Sequence, residues 1–366
     1  MTDEARDGLV ALAALAREFG GNDHVIGGGG NVSFKTDATL CIKPSGCFLN
    51  AMTPDAFVAL DREALSGIRT LEPSPDKRLR ERQVREVLES ALLDKSARRP
   101  SVETPLHHAL ASRFVAHTHP APVNGMTCSR EGRQACARLF PDALWVDYAD
   151  PGYVLALTVG RAVDEYRRER GCEPRALFLQ NHGLFWGADT PDTLRETYAR
   201  IAEALRSEYA GAGLDDSWAT GPLPSDRRQE SLRAVCRAAV GDEAACLAAS
   251  GPFAVAEGPI TPDHIVYGRA WAMIGEPDEA RLAAYCRERG LPPRVIACED
   301  GVYAIGPDAH TARFALDSAD NGGQVRRYAT AFGGLRLMDD AQRAFIENWE
   351  GEAYRLHVAV AGQGAG

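Results

Sequence analysis

The sequence predicts a mixed α/β fold in two unequal parts, a body over residues 1–210 and a smaller α/β part towards the C-terminus. Three observations predict it. Short apolar or alternating runs are interleaved with Ala/Leu-rich stretches of helical period. The composition changes at Gly211–Ser225 (GAGLDDSWATGPLPS), whose Gly, Pro, Asp and Ser read as a linker. A chain of 366 residues, 45% hydrophobic, is long enough for two cores.

Taken in order, Leu9–Phe19 has helical spacing and stops at Gly20-Gly21. The glycine run Gly27–Gly30 leads into the strand-like Asn31–Lys35, followed by a short strand Leu40–Ile42 and the turn Lys43-Pro44-Ser45-Gly46. Thr53-Pro54-Asp55 reads as a helix start, with Thr53 as cap and Pro54 first. Helices are predicted over Lys77–Ser96, Val102–Arg113 (cap Ser101) and Arg130–Leu139, and strands over Phe114–Pro120 and Ala143–Tyr148. Tyr148–Gly152 reads as a loop. Ala176–Gln180 and Leu184–Trp186 are strands around Asn181-His182-Gly183, and Thr190 caps a helix to Tyr209. After the linker come a helix (Gln229–Ala249), a Gly/Pro region, the hairpin Arg294–Cys298/Gly301–Gly306, and helices over Asp308–Phe332 and Asp339–Val360. The expected division is 1–210, a linker and helical connector over 211–262, and a smaller α/β domain over 263–366.

Charge and cysteine usage narrow the class. Forty-one basic against 51 acidic residues leave a net charge of −10, which argues against nucleic acid or an anionic membrane as partner. No run approaches the roughly 18 apolar residues of a membrane span. The polar opening Met1–Asp7 is unlike a signal peptide, and nine scattered cysteines without a C-x-x-C pair suit reduced thiols. A cytoplasmic protein is expected, and a small local basic pocket for a phosphorylated metabolite remains allowed.

His117-Thr118-His119 is the sharpest local signal. Residues two apart on a strand face the same way, and an open catalytic metal site takes about three protein ligands. His182, at a strand end beside Gly183, is a third candidate. Taken alone, H-x-H is as compatible with a solvated strand face. Glu103 sits just upstream of that strand, where an acid also suits a helix start; His107 and His108 read equally as packing or solvated groups. Gly27–Gly30 and Ser45-Gly46 can expose backbone N–H groups to an anion, with Lys43 as a point charge or a solvated lysine. The run GGGGN has no Walker lysine and opens a strand, so a nucleotide reading is poor.

In this order, GGGGNVSFK (27–35), IKPSGCFL (42–49), PSVETPLH (100–107), HTHP (117–120) and NHGLFWGADTP (181–191) resemble the class II aldolase/adducin family. The resemblance covers roughly residues 8–210. It implies a three-layer α/β/α body with a central, mainly antiparallel sheet. It also implies His117, His119 and His182 as ligands of Zn2+ or another divalent metal such as Mn2+, Co2+ or Fe2+, and Glu103 as the catalytic carboxylate. Gly30, Asn31, Ser45, Gly46 and Ser101 match positions that bind the donor's phosphate or nearby oxygens. The activity implied is cleavage of a ketose 1-phosphate to dihydroxyacetone phosphate and an aldehyde through a metal-stabilised enediolate. A homo-oligomer, tetramer favoured, is also implied.

Glu103, where related epimerases carry Asp, tilts the reading towards aldol cleavage. RRPSVETPLHHAL, FVAHTHPAPVNGMTCSREG and Phe345–Glu350 are similar to the aldolase half of bifunctional rhamnulose-phosphate aldolase/short-chain dehydrogenase proteins, and no dehydrogenase activity is expected. Val102 departs from the second serine of simple fuculose-phosphate aldolases, which weakens the phosphorylated-donor reading. Tyr148, Tyr153 and Tyr354 are candidates for a catalytic tyrosine. A same-family decarboxylase or epimerase is the rival, and a non-catalytic adducin-like module the remoter one. In the last helix, Phe345, Ile346, Trp349, Tyr354 and Leu356 read as a packing face; the sharper expectation docks it beside the metal site, with Tyr354 and Arg355 reaching the substrate.

Overall fold

The computed structural model describes residues 3–71, 74, 76–351, 354 and 358. Its body is built on a seven-stranded sheet of β1 (Asn31–Lys35), β2 (Thr39–Ile42), β3 (Val58–Asp61), β4 (Phe114–Thr118), β5 (Leu144–Val146), β6 (Ala176–Leu179) and β7 (Gly183–Ala188). The order is β3-β2-β1-β4-β7-β6-β5, antiparallel throughout except between β5 and β6. This is the mainly antiparallel sheet implied by the resemblance.

Period-two alternation explains the layers. Val32 and Phe34, Phe114 and Ala116, Phe178, Leu184 and Trp186 face one core with α1 (Asp3–Glu18), α5 (Ala121–Thr127), α6 (Gly132–Leu139) and α8 (Pro191–Gly211). Val115, Leu177, Leu179 and Phe185 face the other side, against α4 (Thr104–Ala109) and α7 (Tyr153–Arg170). Leu40, Ile42, Val58 and Leu60 extend that second face against α2 (Arg62–Thr70) and α3 (Lys77–Ala91).

The C-terminal part holds α9 (Asp226–Val240), β8 (Cys246–Ser250), α10 (Pro262–Gly268), β9 (Met273–Ile274), α11 (Glu279–Arg289), β10 (Val295–Cys298), β11 (Gly301–Gly306), α12 (Ala309–Ala329) and α13 (Asp340–Glu347). Its four-stranded sheet runs β8-β11-β10-β9. The expected hairpin is present, with Cys298 paired to Gly301.

Five local expectations are corrected. Thr53-Pro54-Asp55 is a turn; Val58 and Leu60 bury as an edge strand, and Asp61 is the residue that caps a helix, accepting from Ala64 N. The helix expected over 102–113 is limited to α4. The helix expected over 229–249 stops at Val240, where Gly241 adopts φ 63°, and Cys246–Ser250 pairs with β11 instead. The second α/β unit therefore begins inside the expected connector over 211–262. Helix α7, which the sequence pattern does not announce beyond the loop up to Gly152, ends at left-handed Gly171. The last helix breaks at Asn348; Glu352, Arg355 and Leu356 lie outside the described residues.

The two parts share a core. Ile260, Val325, Tyr328 and Phe332 join the cluster that contains Val32, Phe34 and Trp186. Helix α12 lies along α5, close enough that a Cβ on Gly125 would sit 2.3 Å from Tyr328 Cβ. The Tyr209 ring lies 4.4 Å from that of Tyr328, tilted by 34°, and its hydroxyl donates to Pro122 O. Among the described residues, no helix is long and apolar enough to cross a membrane.

Candidate metal centre

Strand β4 carries His117 in the middle of the sheet, opposite Asn31 on β1 and Phe185 on β7. The His117 ring is buried and stacks 3.8 Å from that of Phe185. His119 lies just beyond the strand end, its backbone N–H donating to His24 O. His182 comes from the β6–β7 turn, which Asn181 closes with a positive φ of 53° that asparagine tolerates. The Asn181 amide ties this turn to the C-terminal part by donating to Ile260 O (2.9 Å) and Arg336 O (2.8 Å). Gly183 must be glycine: a Cβ there would lie 2.5 Å from the His119 ring.

Glu103 occupies the N-cap position of α4. One oxygen, Oε1, lies 3.1 Å from His117 Nε2 and 3.4 Å from His182 Nε2. The other, Oε2, accepts from Asn31 Nδ2 at 2.7 Å, and the same amide donates to Ser101 Oγ at 2.8 Å. Burial opposes charge on Glu103, while His117 and His182, when protonated, hold its carboxyl well below the usual carboxylate range. Burial pushes the His117 pKa down to about 4 and lowers that of His182, so both rings are neutral at pH 7.

The donor set fits a divalent cation. His117 Nδ1 donates to Leu184 O (2.9 Å) and His119 Nδ1 to the Asp263 carboxylate (2.5 Å), so each ring keeps its lone pair on Nε2. Those two Nε2 atoms are 2.8 Å apart. Ligand atoms of Glu103, His117, His119 and His182 all fall within 4.8 Å of one another. Converging lone pairs repel unless a cation lies between them, and three imidazoles with a carboxylate suit zinc and its neighbours.

The centre lies beside a cleft of about 560 Å3 whose lining includes Gly28, Gly30, Asn31, Ser45, Gly46, Ser101, Val102, Glu103, His119 and His182. Gly30 has φ 66°, and a Cβ there would meet Val25 at 2.4 Å, so the turn can form only with glycine. Lys43 also lines the cleft, but its ammonium donates to Gly28 O (2.9 Å) and Cys47 O (2.8 Å) and so braces both turns. His107 is buried below the site, hydrogen-bonded to Ser33 Oγ, and His108 lies at Ser66; neither joins the cluster.

The tyrosines fall elsewhere. Tyr148 packs with Ile265 and Met338 and donates to Asp150 Oδ1 at 3.4 Å, and Tyr153 donates to Leu71 O. The Tyr354 ring lies 4.8 Å from the Arg99 guanidinium. None of the three lines the cleft. Trp349 and Gly351 do, which brings the segment after α13 to the site; Arg355 lies outside the described residues. Sequence reasoning misses Asp263 and Pro262, whereas Gly28 falls in the glycine run and Trp349 in the last helix that it put forward. The Thr261-Pro262 helix start is the only local sign near Asp263, and it says nothing about a metal.

Residues 10–209 match the family described as the Class II Aldolase and Adducin N-terminal domain. The "Uncharacterized oxidoreductase YuxG" of Bacillus subtilis is 27% identical over 237 residues, 59% of this chain and 32% of that protein. The chain thus spans about a third of that relative. The N-terminal class II aldolase domain of a conserved Thermoplasma acidophilum protein is similar at 24% identity and a TM-score of 0.47, covering 54% of this chain and 91% of that one. The L-fuculose-1-phosphate aldolase of Thermus thermophilus is similar at 18% identity and a TM-score of 0.36, covering 56% and 92%.

Proposed function

Because the chain belongs to the class II aldolase and adducin family, we propose that it is a metal-dependent aldehyde-lyase that cleaves a ketose 1-phosphate to dihydroxyacetone phosphate and an aldehyde. One observation carries the reading. Three imidazole Nε2 atoms and one Glu103 oxygen converge beside a cleft floored by glycine and serine turns. A bound Zn2+, or Mn2+, Co2+ or Fe2+ in its place, would be held by His117, His119 and His182 and would supply Lewis-acid stabilisation of negative charge.

The chain's own groups do the rest. Glu103, ionised in the free protein, exchanges a proton with the donor carbon. Asn31 holds Oε2 of that carboxylate, leaving Oε1 to face the histidines. The turns at Gly28–Gly30 and Ser45-Gly46, braced by Lys43, and the Ser101 hydroxyl offer hydrogen-bond donors to a phosphate. Trp349 and Pro262 narrow access for water. As in the implied assembly, the chain works as a homo-oligomer, a tetramer, which light scattering tests.

A second reading has its own support. Val102 lines the cleft beside Ser101, removing one hydroxyl from the anion site. This suits a decarboxylase or epimerase acting on a substrate without that phosphate. Zinc-loaded protein incubated with ketose 1-phosphates and their unphosphorylated counterparts separates the two. Dihydroxyacetone phosphate among the products supports the lyase; an epimerised sugar, or carbon dioxide released from a sugar acid added to the panel, with no retro-aldol products replaces it with the second reading.

A further inference from the structure

We propose that Asp263, contributed by the C-terminal part, is a positioning residue that completes the metal centre. It does so by fixing the ring and tautomer of His119. The inference rests on the metal-centre reading above and extends it beyond residues 10–209, the region that matches the family.

The two ligands of the H-x-H pair are held differently. His117 lies within the sheet, its ring stacked on Phe185 and its Nδ1 donating to Leu184 O of the paired strand. His119 is past the strand end, where no ladder fixes its ring. The acceptor that orients it is Asp263 Oδ2, at 2.5 Å, from a residue 144 positions later. Both groups are buried, with side-chain exposures of 8% for His119 and 2% for Asp263.

A carboxylate accepting from Nδ1–H selects the tautomer whose lone pair is on Nε2, the atom facing the other donors. It also raises the basicity of that nitrogen. Helix α10 is seated independently of this contact, because Thr261 caps it and the Tyr267 hydroxyl accepts from Gly28 N at 3.0 Å. A substitution at Asp263 therefore leaves the helix with its other anchors.

The test compares zinc affinity, by competition with a chromogenic chelator, in the full-length wild type, Asp263→Asn, Asp263→Ala and His117→Ala. Urea unfolding of the metal-free forms runs in parallel, and Co2+ absorption reports the ligand geometry. Asp263→Asn and Asp263→Ala are expected to bind zinc about 10–100-fold more weakly than the wild type and to alter the cobalt spectrum, with metal-free stability largely kept in the isosteric Asn form. Zinc affinity within about threefold of wild type in both Asp263 variants, well short of that loss, while His117→Ala has lost the metal, overturns the proposal and leaves the metal centre standing. Loss of metal-free stability with unchanged zinc affinity also overturns it, making Asp263 a docking contact only. A wild type that binds no zinc and no cobalt overturns both readings.

Discussion

The contact between α5 and α12 allows one substitution to be predicted with opposite signs at two sites. In a helix interior, glycine to alanine ordinarily stabilises by about 1 kcal/mol, because glycine loses more backbone freedom on folding. Gly160, in the middle of α7, has open space around the position of a Cβ, so Gly160→Ala should gain up to that amount. Gly125 is different. A Cβ there would lie 2.3 Å from Tyr328 Cβ, 2.7 Å from the Tyr209 hydroxyl and 3.3 Å from the Tyr328 backbone. Neither a Cβ nor a backbone carbon can step aside without moving α12. Overpacking of this kind costs about 1–3 kcal/mol, which cancels the helical gain of about 1 kcal/mol and leaves a net loss of up to about 2 kcal/mol. Urea unfolding of both variants at one pH measures the difference, in which the helical gain cancels and the overpacking cost of about 1–3 kcal/mol remains. If Gly125→Ala proves as stable as Gly160→Ala, the close α5–α12 packing is wrong.

Four other outcomes are expected. His117→Ala or His182→Ala should give folded protein with far less than stoichiometric zinc, measured by atomic absorption, since a three-histidine site does not survive with two; wild-type zinc content would remove the ligand assignment. Glu103→Gln should lower turnover by about 10²-fold or more with metal retained, and near-normal turnover would reduce Glu103 to a helix-start residue. Metal-free stability should fall as pH drops from about 6.5 to 4. Burial lowers the pKa values of His117, His264, His107, His182 and His24 below the unfolded value, so in that window the unfolded chain binds more protons and acid favours it. A flat urea midpoint between about pH 7.5 and 5 would contradict this. Truncation after Tyr209 should yield aggregating protein, because it bares α5 and the Tyr209 ring that Tyr328 and Phe332 cover; a soluble, zinc-binding fragment would show that the shared core is dispensable.

What the sequence reveals depends on how local each signal is. His117, His119 and His182 are legible because two stand two residues apart at the end of one short strand and the third follows a buried strand at a turn. Glu103 and Asn31 are legible through the ordered motifs around them, and the structure brings both to the same carboxylate-centred contact. Lys43 is legible as a cation but not as a brace, since two backbone carbonyls supplied by the fold engage it. Tyr148 lies near the site in sequence, yet its ring is drawn into a cluster with Ile265 and Met338 that only the tertiary fold creates. The strand Cys246–Ser250 reads as helix because its small residues carry no β-pattern of their own; pairing with β11 decides it. Asp263 leaves no trace, because nothing in its neighbourhood specifies a partner 144 residues away.

That separation bears on the order in which the protein is made. Chains emerge from the ribosome N-terminus first, and domains commonly fold as they appear. The three histidines and Glu103 are all synthesised before residue 183, but the acceptor for the His119 ring comes only with α10, and Trp349 later still. A nascent body can thus form its sheet, yet its H-x-H pair remains half-oriented and its α5 face uncovered until α12 has been translated. Metal capture before that point would meet a looser site. A pause or cleavage between α8 and α10 would leave a body with its ligands in place and its His119 without the carboxylate that orients it.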